Sequence, residues 1–481
     1  MKPSGIQLEM NFDGPRGNRF KEKLDNGIFQ LLVEINPPQD NLSLDDAVAR
    51  FSEIEYVVSA KQDFPAALAF TDRLAAPGNG MDTVRFASAL CKTDRDKHLL
   101  CVSGRDRTVE EIEKILAHAS HEGFRNILAV SGGSLPGDTL KEVQSRLYTE
   151  SVHTIRSVRE RFNPLLLAGC AVNPYRYTPG TVFPQYFKLM RKIGAGASFI
   201  VTQFGWDMLK LQELRWSLAR RSMHLPSIAR FLMLTPDRAE EICSGKVPGV
   251  HISPDLEAML RREMTHSLAQ FEAAQWRRIQ IHAAGARFLG YSGVQIAGAE
   301  RADHVNILLN RISEALAEFS SFEEWRSAYS DYYARLDMAP YPYRFYEFEG
   351  LFSSAQPSDS PVMSPAEFLP FEGLELFKHR LARRLFAHAD AMPASEKRLT
   401  KKLLVSCRSC PACRLPKTDF VCPETCPKGM ANGPCGSARA GGECELFPRE
   451  CIYSKRMRIA SHYNEFGSLE EGLVEPVSSR R

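Results

Sequence analysis

The chain has 481 residues, of which 44% are hydrophobic and 25% charged. That length fits two or three domains or one large barrel with additions, and the composition excludes a mainly disordered chain. With 61 Lys and Arg against 58 Asp and Glu, the net charge of +3 speaks against nucleic acid or an anionic membrane as the main partner and in favour of a small molecule.

Residues 1–25 lack the unbroken apolar core of a secretory signal, and no run of about 18 apolar residues exists to span a bilayer, so a cytoplasmic location is expected. From residue 26 to 318, short apolar runs alternate with longer amphipathic stretches, the pattern of βα units around a parallel sheet. The runs are 29–35, 66–71, 98–103, 126–131, 165–172, 198–203, 229–234 and 292–297. Helix starts are marked by Ser43 with Asp46, Thr108 with Glu111, and Thr235 followed by Pro236. Eight strands with helical crossovers predict a (β/α)₈ TIM barrel, and no G-x-G-x-x-G follows the first strand to support an open nucleotide-binding sheet.

Barrels carry their chemistry at the C-terminal ends of their strands, and here those ends are polar. The first ends in Glu34-Ile35-Asn36-Pro37-Pro38, the second in Thr71-Asp72-Arg73, the fourth in Ser131-Gly132-Gly133, the fifth in Asn173-Pro174 and the sixth in Thr202-Gln203-Phe204. Glu34, flanked by apolar residues and the Pro pair, is expected in a poorly solvated place where a carboxyl can serve as general acid. A solvated strand-end glutamate or a structural salt bridge would fit the same residue. Gln203 offers a neutral amide that donates and accepts, toward a substrate ring or a neighbouring backbone group. His98 opens the third strand and Lys192 lies late in the fifth crossover helix; by residue type alone each is more often structural than functional.

Residues 319–400 mix aromatics with Pro and Ser, as an irregular connector packed on a surface would. Eight of the twelve cysteines then fall between Cys407 and Cys451: Cys407, Cys410, Cys413, Cys422, Cys426, Cys435, Cys444 and Cys451. In a reducing compartment such density argues for metal rather than disulfides, and the C-x2-C-x2-C opening lets one turn present several sulfurs. Eight thiolates would fill two four-ligand centres, either iron–sulfur clusters or zinc. Residues 401–460 therefore read as a small metal domain and 461–481 as a mobile tail.

Taken together, VEINPP (33–38), TQFGWD (202–207), C-R-S-C-P-A-C, C-P-K-G-M-A-N-G-P-C-G and G-G-E-C-E resemble the methylenetetrahydrofolate reductase family with its fused C-terminal cysteine domain. The resemblance covers about 26–318 and 335–460. It implies Glu34 as general acid, Gln203 and Asn173 at the folate, and Thr71, His98, Ser131, Gly132 and Lys192 at a flavin, FAD or FMN. It also implies reduction of 5,10-methylenetetrahydrofolate or the reverse, with electrons entering through iron–sulfur centres or NAD(P)H, and an electron-transfer protein or a second copy as partner. One departure stands out: the family usually reads Gly-Asp after the fourth strand, where this chain reads Gly132-Gly133. If Asp is missing there, Asp72 or Asn173 must help hold the pterin. The competing expectation is a non-redox folate-binding or scaffold protein with a structural zinc domain.

Overall fold

The computed structural model describes residues 17–38, 42–60, 65–72, 81–135, 137–336, 345–355, 370–391, 396–439 and 442–477. Eight strands, β1 (Gln30–Ile35), β2 (Ala66–Phe70), β3 (Leu99–Ser103), β4 (Asn126–Val130), β5 (Leu167–Val172), β6 (Phe199–Phe204), β7 (Ser227–Leu232) and β8 (Gly293–Ala297), close into one parallel barrel in chain order. They fall within two residues of the expected runs because each is buried on both faces and so reads as a near-continuous apolar stretch. The Thr108 and Thr235 caps form as expected: Thr108 Oγ1 accepts from Glu111 N at 3.2 Å, and Thr235 Oγ1 from Arg238 N at 3.3 Å.

Alternation along each strand divides the core in two. Outward side chains pack beneath the helical ring, while Leu32, Ala67, Ala69, Leu99, Leu128, Val201 and Ile228 fill the barrel's interior. The helix Arg19–Asp25 precedes the expected start of the barrel and supplies the plug: Phe20 enters the same interior and meets Phe199 edge-on, centroids 5.2 Å apart.

The segment 319–400 is more regular than expected. Trp325, Tyr329 and Tyr333 recur at four-residue spacing, one face of the helix Phe322–Arg335, and pack with Phe352 against the helix Leu268–Phe288. The Ser/Pro run lies largely outside the described residues. The cysteine region sits on the helix Pro179–Ala195, to which the helices Ile452–Tyr463 and Gly467–Glu470 also pack. The expected mobile tail is anchored through residue 475. Asn432 exchanges two hydrogen bonds with the Val474 backbone, at 2.7 and 2.8 Å, and Arg156 grips Glu475 at 2.6 Å. No described helix is long and apolar enough to cross a membrane.

Candidate active site and cysteine centres

At the C-terminal mouth the barrel interior turns polar. Glu34 on β1 accepts from Arg230 Nε at 2.7 Å and Arg230 Nη2 at 2.6 Å, and from Gln295 Nε2 at 2.6 Å. The third Arg230 nitrogen donates to Gln203 Oε1 at 3.0 Å, and the guanidinium lies 4.7 Å from the centre of the Phe204 ring. One arginine thus joins the two residues singled out for acid and amide roles. The pairing explains how: Arg230 on β7 is directly opposite Gln295 on β8, and β8 adjoins β1. Between Val201 and Phe204 the register of β6 against β7 slips by one residue. That bulge re-aims Gln203, and Thr202 Oγ1 takes up the Arg230 backbone N–H at 3.0 Å. Glu34 is poorly solvated, as expected, at 5% exposure, and the salt bridge to Arg230 is present as well. Gln295 Oε1 is buried without a partner. Neither Arg230 nor Gln295 was anticipated; the available signal was a polar side chain at the inward register of an otherwise apolar strand.

The remaining expected contacts divide between the mouth and elsewhere. Thr71 follows β2 and donates to Asn36 Oδ1 at 2.8 Å. Ser131 Oγ accepts from Ser151 N at 3.0 Å, and Gly132 takes φ +84°, where a Cβ would stand 2.6 Å from Ser103 Oγ. Gly133, by contrast, has nothing within 4 Å of a Cβ, and its carbonyl accepts from Arg105 Nη1 at 3.1 Å. His98 sits at the opposite, N-terminal end of β3, with Nδ1 accepting the Leu68 N–H at 3.0 Å in place of a strand-to-strand bond. Burial holds that imidazole neutral, its pKa lowered to about 3. Lys192 is buried against β5, donating to Ala171 O at 2.5 Å, and burial lowers its pKa to about 8. Asp72 is gripped by Arg107 and by Ser103 N at 2.6 Å, which leaves it occupied rather than turned to a pterin.

The cysteines fall into two groups in space. Cys407 and Cys422 are in thiol–thiol contact with Cys410 and Cys413 beside them, while Cys426, Cys435, Cys444 and Cys451 are mutual neighbours. In five of the eight, the backbone N–H two residues on points at the sulfur: Ser409 to Cys407, Glu424 to Cys422, Lys428 to Cys426, Leu446 to Cys444 and Tyr453 to Cys451. Such donors stabilise thiolate, the form a metal binds. Buried cations add to this, with Arg176 and Lys428 near Cys435 and the partnerless Lys401 Nζ near Cys407. The Cys422 thiol donates to Cys407, which lowers the Cys407 pKa and raises that of Cys422, and burial pushes Cys426 up to about 12. The donor set fits a thiolate-bound centre, although among the described residues no three His, Cys, Asp or Glu side chains are closed around a metal position.

The second group is seated on the barrel mouth. Asn173, at the end of β5, donates to Gly436 O at 2.9 Å and to Gly249 O at 2.8 Å, while its Oδ1 accepts from Tyr175 N. Arg176 donates to Ala438 O at 2.7 Å and also reaches Gly436 O. The structure thus uses Asn173 to hold the residue after Cys435, not as an open folate contact. Deeper in the interface, Glu150 accepts from Ala431 N (2.7 Å), Asn432 N (2.9 Å) and Lys188 Nζ (3.0 Å). Lys188 Nζ also donates to Gly433 O and Pro434 O, at 3.0 and 3.1 Å. Burial alone would raise the Glu150 pKa, but Lys188, His153 and the Ala431 N–H outweigh it and bring it to about 2.

A closed parallel barrel with an acid, an amide and a guanidinium meeting at its C-terminal mouth is the architecture of a (β/α)₈-barrel enzyme. The chain belongs to the methylenetetrahydrofolate reductase family, oxidoreductases of folate metabolism: residues 19–262 match the family described as methylenetetrahydrofolate reductase, and 386–479 match its C-terminal family, "Methylene-tetrahydrofolate reductase C terminal". No curated protein matches the chain. Among solved structures, an uncharacterized Clostridium thermocellum protein that binds two copies of 5-methyl-5,6,7,8-tetrahydrofolic acid is similar at 13% identity and TM-score 0.45, covering 62% of this chain and 100% of its own. A dihydropteroate synthase from Coxiella burnetii in complex with pteroic acid is similar at 13% identity and TM-score 0.33, covering 60% of this chain and 93% of its own. Both likenesses are too distant to bear on function.

Proposed function

We propose that this chain reduces the methylene group of 5,10-methylenetetrahydrofolate to methyl at the barrel mouth, with electrons entering through the C-terminal cysteine centres. The observation that carries the reading is the single hydrogen-bonded group formed by Glu34, Arg230 and Gln203 at that mouth. A flavin at the turn after β4, beside Thr71, Ser131 and Gly132, would supply hydride transfer. Gln203 would orient the pterin through its amide. Opening the five-membered ring requires a proton at the departing nitrogen, and Glu34 is the acid placed to give it. Because Arg230 engages both Glu34 oxygens, the departing nitrogen reaches Glu34 only after one of those contacts is released. Gln295 stands beside it, with Nε2 donating to Glu34 and Oε1 left as an unpartnered acceptor.

The seat of the second cysteine group on Asn173 and Arg176 supports electron delivery to the same mouth. Thiolate-bound iron–sulfur centres would carry single electrons to a group that reacts in pairs. The Glu34–Arg230 bridge favours a second reading, a folate-binding protein without reductive turnover. Anaerobically purified full-length protein tests the two. Flavin and iron–sulfur absorption with reduction of methylenetetrahydrofolate is expected, and Glu34→Gln lowers turnover by roughly 10²-fold while folate still binds. A colourless, zinc-loaded protein that binds folate without turnover would establish the second reading.

A further inference from the structure

The described surface exposes ten large apolar side chains, and four of them, Leu374, Phe377, Leu399 and Leu403, lie within 30 residues on two packed helices, Gly373–Leu385 and Arg398–Val405. They are 63–84% exposed. Spacing of three and four residues puts each pair on one face of its helix, opposite the His379 and Ala382 side of the first and the Lys401 side of the second, which are buried. Such clustering is unusual for a surface with no task. The same two helices carry seven Lys and Arg and one acid, Glu375, and that acid is already paired with Lys455 at 2.7 Å and Arg458 at 2.9 Å. Lys378, Arg380, Arg384, Arg398 and Lys402 are all exposed. Even with the exposed Glu372 and Glu396 at their starts, a chain of net charge +3 thus concentrates basic charge on the two packed helices that carry these apolar side chains.

The patch backs onto the first cysteine group. The helix Arg398–Val405 runs directly into Cys407, and Ala382 of the other helix and Phe386 just past its end pack in one cluster with Cys413 and Cys422. From Cys422 to Cys426, the first member of the group seated on the barrel mouth, is four residues, at most about 14 Å of chain. The order from outside inward is therefore patch, first group, second group, mouth.

We propose that the outer face of these two helices docks an acidic one-electron carrier protein, an inference that rests on the cysteine groups being redox centres. The apolar side chains provide the desolvated middle of the contact and the surrounding lysines and arginines select and steer a negatively charged partner. Each encounter oxidises one reduced carrier by one electron and reduces the first centre by one. Two encounters, with two protons taken from water, balance the conversion of a methylene to a methyl group.

The test uses anaerobically purified full-length protein and, as probe, an acidic eight-iron bacterial ferredoxin, with methyl viologen as a small donor that needs no docking. Calorimetric titration should detect ferredoxin binding that weakens as salt rises. Leu399→Glu combined with Leu403→Glu, and separately Arg398→Glu combined with Lys402→Glu, should each weaken it about tenfold or more and slow ferredoxin-driven bleaching of the visible absorption equally, leaving viologen-driven bleaching unchanged. Unchanged ferredoxin binding in both variants overturns the proposal. So does loss, in the variants, of self-association or of binding to phosphatidylglycerol vesicles in place of ferredoxin binding. A wild-type protein that viologen cannot reduce overturns the redox reading and the carrier's role with it. Viologen reduction without ferredoxin binding overturns the docking surface alone.

Discussion

Replacing Glu150 by Gln removes one charge from the interface between the barrel and the cysteine region while keeping the side chain's shape. Its pKa of about 2, against 4.5 for an ordinary glutamate, corresponds to about 3 kcal/mol of favourable interaction with the ionised form at neutral pH. An independent route gives the same size, since leaving Lys188 as an uncompensated buried charge costs about 3–5 kcal/mol. Lys188 retains Gly433 O and Pro434 O, so the lower end applies. A loss of about 3 kcal/mol raises the population of the detached loop roughly 10²-fold. Native-state hydrogen exchange reads this directly. The reporters are Gly433 N, bonded to Tyr453 Oη at 2.8 Å, and Val474 N, bonded to Asn432 Oδ1, because neither touches Glu150 itself. Both should exchange roughly 10²-fold faster while the amides of β1 to β4 keep their rates. Pairing the change with Lys188→Met should recover part of the loss. Exchange at both reporters within about threefold of wild type would refute the reasoning, because the buried pair would then not hold the loop.

Two neighbouring glycines should respond in opposite ways. Gly132→Ala places a Cβ 2.6 Å from Ser103 Oγ and 2.7 Å from Arg105 Cβ at φ +84°, and chemical denaturation should register a loss of about 1–3 kcal/mol. At Gly133 a Cβ meets no atom within 4 Å, and Gly133→Asp should unfold within about 0.5 kcal/mol of wild type. Its carboxylate should also lower the midpoint potential of a flavin bound at the turn; an unchanged potential in a loaded variant would move the flavin away from this loop. Acid should weaken the barrel through His98 and His282, both buried as neutral imidazoles with pKa lowered by burial to about 3 from 6.5. The unfolded chain binds the extra protons, so stability falls as pH drops below 6.5, by about 2 kcal/mol per histidine at pH 5. Thermal unfolding at pH 7 and pH 5 checks this, and His282→Gln should shrink the difference; equal midpoints for wild type at the two pH values would contradict it.

The barrel was legible because its strands are apolar on both faces and its helices carry marked starts such as Thr108 with Glu111. Glu34 and Gln203 were legible as polar residues closing apolar runs. Arg230 was not, since it lies inside such a run and its partner Glu34 is 196 residues away, so only strand order brings them together. The role of His98 was open to misjudgement for a simpler reason: a residue that begins a barrel strand stands at the end opposite the mouth. Cysteine density marked a centre, but C-x2-C-x2-C supplies only three sulfurs. The fourth, Cys422, joins Cys407 through packing that spacing does not encode. Glu150 and Lys188 drew no notice in the sequence, and become an anchor only once the loop 431–436 lies on them.

The anchors of that loop also fix an order of events during synthesis. Glu150 precedes Ala431 by 281 residues, and Asn173 precedes Gly436 by 263. At the usual roughly 5–20 residues per second, the receiving surface leaves the ribosome roughly 15–55 s before the loop it will hold. By the end of that interval all eight barrel strands have emerged, since β8 ends at Ala297. The cysteines therefore arrive at a surface whose acceptors and donors are already in place, and the barrel acts as the template on which the last part of the chain is shaped. Separated from that template, the segment carrying the second cysteine group would have to find its turns unaided.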